Sequence, residues 1–216
     1  MCGTREIYQL TTAVDKSAFC FQCINRKQDI LIITDVSRSI TRSVFEQMKL
    51  FQKSLVASVD ISQNTNAIAL MEFSKTRKVL ISLDSPSSVK KADILSTIYQ
   101  QDYENGPSTE LADALDMAAT EVFTAQRGDR ADADNMVILF TDGWLYKSEE
   151  QDVAAAIGQL SAKAEVFVVA SRGINSVITK IASEPKADHI FQLGGGGAVS
   201  TIRRAITPCQ LPIKGI

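Results

Sequence analysis

Residues 29–39 read Asp29-Ile30-Leu31-Ile32-Ile33-Thr34-Asp35-Val36-Ser37-Arg38-Ser39. Four consecutive aliphatic side chains run straight into a loop rich in oxygen. A strand with one wet face would alternate polar and apolar residues, so an unbroken run predicts a strand buried on both faces. Beyond the loop, Val44, Phe45, Met48, Phe51 and Leu55 recur at helical spacing, which predicts an amphipathic helix over 41–58. A doubly buried strand that feeds a helix is the unit from which parallel sheets with helices on both sides are built.

The rest of the chain repeats that unit. Residues 67–73 and 78–82 read as strands joined by Ser74-Lys75-Thr76. So short a link makes them an antiparallel hairpin, because a parallel pair needs a crossover. Helices are expected over 88–101, 110–125, 149–162, 174–183 and 198–206. Strands are expected over 136–141, 165–170 and 189–193. The predicted fold is α/β and doubly wound: a mostly parallel six-stranded sheet with one antiparallel edge strand and helices on both faces. Residues 1–28 read as a leader, 29–207 as the domain and 208–216 as a tail.

Composition removes several function classes. Lysine and arginine number 23 against 25 aspartate and glutamate, and no basic block of the kind that tracks phosphates occurs, so nucleic acid is not an expected partner. The run 30–33 falls far short of the roughly 20 apolar residues that span a bilayer. The first residues lack the unbroken apolar core of a secretory signal. An enzyme is not expected. An aspartyl phosphatase usually has a second aspartate two residues after the first, where this chain has Ser37. A serine hydrolase needs a histidine base, and His189 is the sole histidine, with no Gly-x-Ser-x-Gly elbow present. Gly194–Gly197 falls too late in the chain for a phosphate loop and reads as a link before the last helix.

Cys2, Cys20, Cys23 and Cys209 all lie outside the regular core. Four cysteines allow three pairings, and a staple from Cys20 or Cys23 to Cys209 would suit an oxidising compartment. Free thiols, or a zinc half-site or redox pair at Cys20 and Cys23, are the alternatives.

In doubly wound sheets ligands sit beyond the carboxyl ends of the strands, where strand order reverses. Two buried strands end there in oxygen-bearing residues: Asp35, Ser37 and Ser39 after one, Asp142 after the other. The bland reading of the first three is capping of the following helix. Convergence with Asp142 would instead put two carboxylates close together, where a cation between them relieves their repulsion. Oxygen ligands without cysteine or histidine select a hard cation: Mg²⁺, Mn²⁺ or Ca²⁺.

These residues resemble the metal-ion-dependent adhesion site of the von Willebrand factor A family: Asp-x-Ser-x-Ser, a distant Thr, then Thr-Asp-Gly. Asp35-Val36-Ser37-Arg38-Ser39 and Thr141-Asp142-Gly143 match its ends. The context Asn105-Gly106-Pro107-Ser108-Thr109-Glu110-Leu111 makes Thr109 the middle residue. The resemblance covers about residues 28–207. It implies direct ligation through Ser37, Ser39 and Thr109, with Asp35 and Asp142 acting largely through bound water. A glutamate or aspartate of a protein partner, collagen or another matrix protein among them, would complete the shell. The implied setting is extracellular; a cytoplasmic scaffold of the same fold is the alternative. The chain differs from the usual family pattern at Val36, where glycine is common, and at Trp144, where a polar residue is common. Arg38, which would either meet an acidic ligand or point to solvent, and Trp144, which would either anchor a partner or pack against a neighbouring loop, are the candidate ligand contacts.

Overall fold

The computed structural model describes residues 22–23, 26–145, 149–207 and 209–210, the first and last pairs as backbone alone. In chain order the elements are β1 (Gln22–Cys23), β2 (Lys27–Asp35), α1 (Arg42–Ser58), β3 (Asn66–Phe73), β4 (Arg77–Ile81) and α2 (Lys91–Gln100). There follow α3 (Leu111–Met117), β5 (Ala133–Thr141), α4 (Glu150–Ser161), β6 (Glu165–Ala170) and α5 (Ser176–Ile181). The chain closes with α6 (Lys186–His189), β7 (Ile190–Gln192), α7 (Ala198–Ile206) and β8 (Cys209–Gln210).

Six strands form one sheet in the order β4-β3-β2-β5-β6-β7. Only β4 runs antiparallel, as the edge partner of β3; the other neighbours are parallel. Alternation along β2 sorts its aliphatic run between two cores. Leu31 and Ile33 face α3, α4 and α5, where Leu115, Val153, Leu160 and Ile178 meet them. Ile30 and Ile32 face α1 and α7, among Phe45, Met48, Leu55 and Ile202. The i, i+3, i+7 spacing predicted for α1 is the face it buries. Phe51 of α1 meets Phe140 of β5 edge to face at 5.3 Å, a geometry that aromatic quadrupoles favour.

Several boundaries differ from those expected. The helix expected over 88–101 is a 3₁₀ turn (Pro86–Val89), then an extended Lys90, then α2. The helix expected over 110–125 changes at Ala118 into a π turn ending at Val122. His189, expected to open the last strand, closes α6 and is buried. Its ring nitrogens meet Glu165 Oε1 at 2.8 Å and the Pro185 carbonyl at 2.9 Å, not a serine.

At the end of the sheet where β2 begins, Asp29 is fully buried. It accepts from the Arg130 backbone at 2.7 Å and from Arg130 Nε at 2.8 Å. Burial raises its carboxyl above the usual range, and the arginine pulls it back. Near the same end, β1 pairs with β8 antiparallel, with Cys23 opposite Cys209. Cys2, Cys20 and the side chains of Cys23 and Cys209 lie outside the described residues.

Candidate metal centre

β2 and β5 are direct neighbours, with Thr34 in register with Phe140. Asp35 and Asp142 therefore leave the sheet side by side. From β2 the fold extends through β3 and β4 to one side and through β5, β6 and β7 to the other. The two aspartates thus stand at the reversal of strand order, where a crevice opens.

Three loops build the site. In the first, Asp35 is fully buried; its Oδ1 accepts the Ser37 backbone N–H at 2.9 Å and its Oδ2 accepts the Thr141 hydroxyl at 2.8 Å. The hydroxyls of Ser37 and Ser39 lie 3.1 Å apart. Neither caps α1. Thr41 does so, accepting from Val44 N at 3.3 Å, and this removes the bland reading of the two serines.

The second loop is stitched to the first. Gly106 donates to the Val36 carbonyl at 3.0 Å, and Arg38 donates back to the Gly106 carbonyl at 2.8 Å. The approach needs glycine: a Cβ there would stand 2.2 Å from Ser74 Cβ. Glu110 N then bonds the Ser74 carbonyl at 2.9 Å, fixing the buried Thr109 between two anchored points.

The third loop carries Asp142. Its Oδ1 accepts from Trp144 N at 3.0 Å. Gly143, at φ +66°, donates to the Thr141 hydroxyl at 3.0 Å. Asn175 Nδ2 donates to the carbonyls of both Asp142 and Gly143 at 3.1 Å. Asp142 Oδ2 is buried and accepts no hydrogen bond; Arg172 Nε stands 3.7 Å from it.

Burial is the main force on Asp35 and lifts its carboxyl to about 6; hydrogen bonds from Ser37 and Thr141 pull it down, and the Asp142 charge pushes it up. The site therefore presents a desolvated carboxylate, a neighbouring carboxylate oxygen without a hydrogen-bond donor, and hydroxyls from the loop of Asp35 and from the loop of Thr109. Among the described residues no three His, Cys, Asp or Glu side chains gather at one point. A cation here would need the mixed set of two carboxylates and three hydroxyls, and hard oxygen donors of that kind fit Mg²⁺, Mn²⁺ or Ca²⁺. A cavity of about 300 Å³ opens over Ser39 and Thr109, walled by Arg38, Trp144 and Arg172. Trp144 is 46% exposed.

Arg172 and Asn175 were not evident from sequence; Thr141 and Gly106 stood inside the quoted motifs, but their roles were not. Thr141 and Thr34 precede the two aspartates alike, yet Thr34 turns to α1 and accepts from Gln52 at 2.9 Å, whereas Thr141 serves the site. Arg172 reaches it from the loop after β6, donating to the Ser39 carbonyl at 3.0 Å. Asn175 acts through its side-chain amide on the backbone of the third loop, and Gly106 through its own backbone.

An α/β domain with an oxygen-lined crevice at the switch point of its sheet is thus defined by geometry alone. The family model for the von Willebrand factor type A domain matches residues 29–205, and the chain belongs to that family. Matrilin-3 of Gallus gallus is 30% identical over 187 residues, which are 83% of this chain and 39% of that protein. The chain thus spans about two fifths of that relative. Two solved structures share the fold. Manganese-loaded Plasmodium vivax TRAP protein superposes with a TM-score of 0.73 at 23% identity, over 88% of this chain and 77% of that one. Proximal thread matrix protein 1 from the mussel byssus, with its MIDAS motif occupied by zinc, gives 0.66 at 22% identity, over 86% and 48%.

Proposed function

We propose that residues 29–207 form a non-enzymatic binding module of the extracellular matrix, with 1–28 and 208–216 as flanking segments. Ser37, Ser39 and Thr109 would hold a divalent cation directly, and Asp35 and Asp142 through water. Mg²⁺ is the proposed cation, with Mn²⁺ and Ca²⁺ as substitutes. When bound, it would supply an electrophilic position for a carboxylate of a protein partner. A matrix protein such as collagen is the class suggested by relatives among the matrilins and the collagen VI chains.

The chain's own residues do the rest. Thr141 and the Ser37 backbone hold the Asp35 carboxylate in one orientation. Asn175 and Gly143 fix the loop of Asp142. Arg38 and Trp144 wall the crevice and would contact the partner. The observation that carries this reading is Asp142 Oδ2, buried beside a second desolvated carboxylate and without a hydrogen-bond donor. Burying such an oxygen without a hydrogen bond is costly; Arg172, 3.7 Å away, lends it charge but no hydrogen bond, and a cation with its water shell is a partner it fits.

Mn²⁺ calorimetry on wild type and on Asp142→Asn tests the site, with adhesion to immobilised matrix proteins measured with and without chelator. Heat of binding in wild type that is lost in the variant, and adhesion abolished by chelator, are expected. Adhesion that is equal in chelator would count against the proposal.

A further inference from the structure

Charge in the crevice does not balance once a divalent cation is counted. Asp35 and Asp142 together match the charge of one such ion. Two arginines remain, Arg38 and Arg172, reaching the cavity from different loops. The carboxylate of Glu110 does not join that wall and is turned onto the Ser108 hydroxyl at 2.9 Å. Each guanidinium is steadied by one backbone carbonyl. Arg172 Nη2 donates to Ser39 O at 3.0 Å and Arg38 Nη2 reaches Pro107 O at 3.5 Å. A guanidinium has five N–H donors, so each keeps most of its fork for a ligand. Arg172 stands 3.7 Å from Asp142 Oδ2, so its charge lies within a residue or two of any carboxylate held over Ser39 and Thr109.

We infer that the crevice selects a doubly acidic peptide segment, one carboxylate going to the cation position and a second, one or two residues away, to the fork of Arg172 and Arg38. This rests on the metal-site reading above and adds what that reading leaves open: which acidic ligands are preferred. An extended chain advances roughly 3.3–3.6 Å per residue, so side chains two apart in a Glu-x-Glu segment emerge on the same side and can reach both positions. A lone glutamate at the cation position would cancel one of the two surplus charges and leave the other without a counter-charge, since Asp142, 3.7 Å from Arg172, is already counted against the cation. A bidentate carboxylate on arginine is among the strong charge-assisted pairs, whereas lysine would act as a point charge only.

The test is an NMR titration of the full chain in excess Mg²⁺ with two blocked peptides, acetyl-Glu-Gly-Gly-amide and acetyl-Glu-Gly-Glu-amide. It is repeated with Arg172→Gln, with Arg38→Gln and in EDTA. The doubly acidic peptide is expected to bind about tenfold tighter than the singly acidic one, and the ratio should fall toward one in Arg172→Gln. Amide spectra establish that each variant is folded, and Arg172→Lys, which keeps the charge but not the fork, should restore only part of the ratio. If the single-glutamate peptide binds in a chelator-sensitive way and the second glutamate adds nothing, the inference falls and the metal reading stands. If Mn²⁺ calorimetry gives no heat and neither peptide responds to EDTA, both fall. A heparin-derived oligosaccharide that binds equally in EDTA and loses affinity in both arginine variants would overturn the inference in favour of a polyanion surface.

Discussion

The Thr141 hydroxyl donates to Asp35 Oδ2 at 2.8 Å across the gap between two neighbouring parallel strands. One hydroxyl thus ties together the two loops that bear the carboxylates, since it also accepts the Gly143 backbone N–H. Thr141→Val keeps the shape and removes both bonds. Chemical denaturation should show a loss of about 1–3 kcal/mol, and Mn²⁺ calorimetry a weaker cation affinity, because Asp35 loses the donor that orients it.

The raised carboxyl of Asp35 sets a pH dependence for the chelator-treated protein. Folded Asp35 takes up its proton at about 6, against an ordinary value of 3.8. Between these values the folded state binds more proton than the unfolded one, so this group adds stability as pH falls. At neutral pH its charge costs on the order of 3 kcal/mol. Asp35→Asn should therefore be at least as stable as wild type at pH 7 in EDTA, and the difference should shrink toward pH 4. Adding Mg²⁺ at pH 7 should raise the melting temperature of wild type and leave the variant unmoved.

Gly106 meets Ser74 at a distance that admits no side chain. Gly106→Ala must push apart the second loop and the hairpin connection, at a cost of about 1–3 kcal/mol by analogy with overpacked cores. The same displacement moves Thr109, so cation affinity should fall by more than the stability change alone explains. A variant with unaltered Mn²⁺ affinity would show that Thr109 is not held by this contact.

At the other end of β2 the buried Asp29 pairs with the partly exposed Arg130. Arg130→Ala removes the counter-charge of a buried carboxylate and leaves it only the backbone N–H donor, which should cost up to about 3–5 kcal/mol. Six residues of strand, about 20 Å, separate this pair from Asp35. Cation binding by the folded fraction should be unchanged, which separates a stability effect from a site effect.

The register of β1 on β8 sets Cys23 opposite Cys209. Oxidatively purified protein is expected to carry this disulfide, detected by peptide mapping without reductant. Recovery of both as free thiols would leave the strand pairing unstapled.

Residues whose role follows from local pattern were legible in the sequence; those whose role follows from packing were not. Ile30–Ile33 declare a buried strand because the run is short and three of its four aliphatic residues are β-branched. The buried face of α1 follows from spacing in the same way. The break at Lys90 and the π turn at Ala118 are compromises with neighbouring elements, and no local signal records them. Arg172 sits in Ser171-Arg172-Gly173, a loop without periodicity, and only its reach to Ser39 marks it. Gly106 was visible as part of a loop, but its need to be glycine depends on Ser74, 32 positions earlier.

Strand β2 begins at Lys27, four residues beyond Cys23, and ends at Asp35, inside the crevice. It is hydrogen-bonded along nearly its whole length on both sides. A partner gripping the crevice and a chain anchored before Lys27 would load this strand end to end. Tension would be met in shear, with the bonds to β3 and β5 strained together rather than unzipped one after another. Under such a load this strand would be the tension member of the sheet, carrying the force along backbone that is buried at every residue after its first.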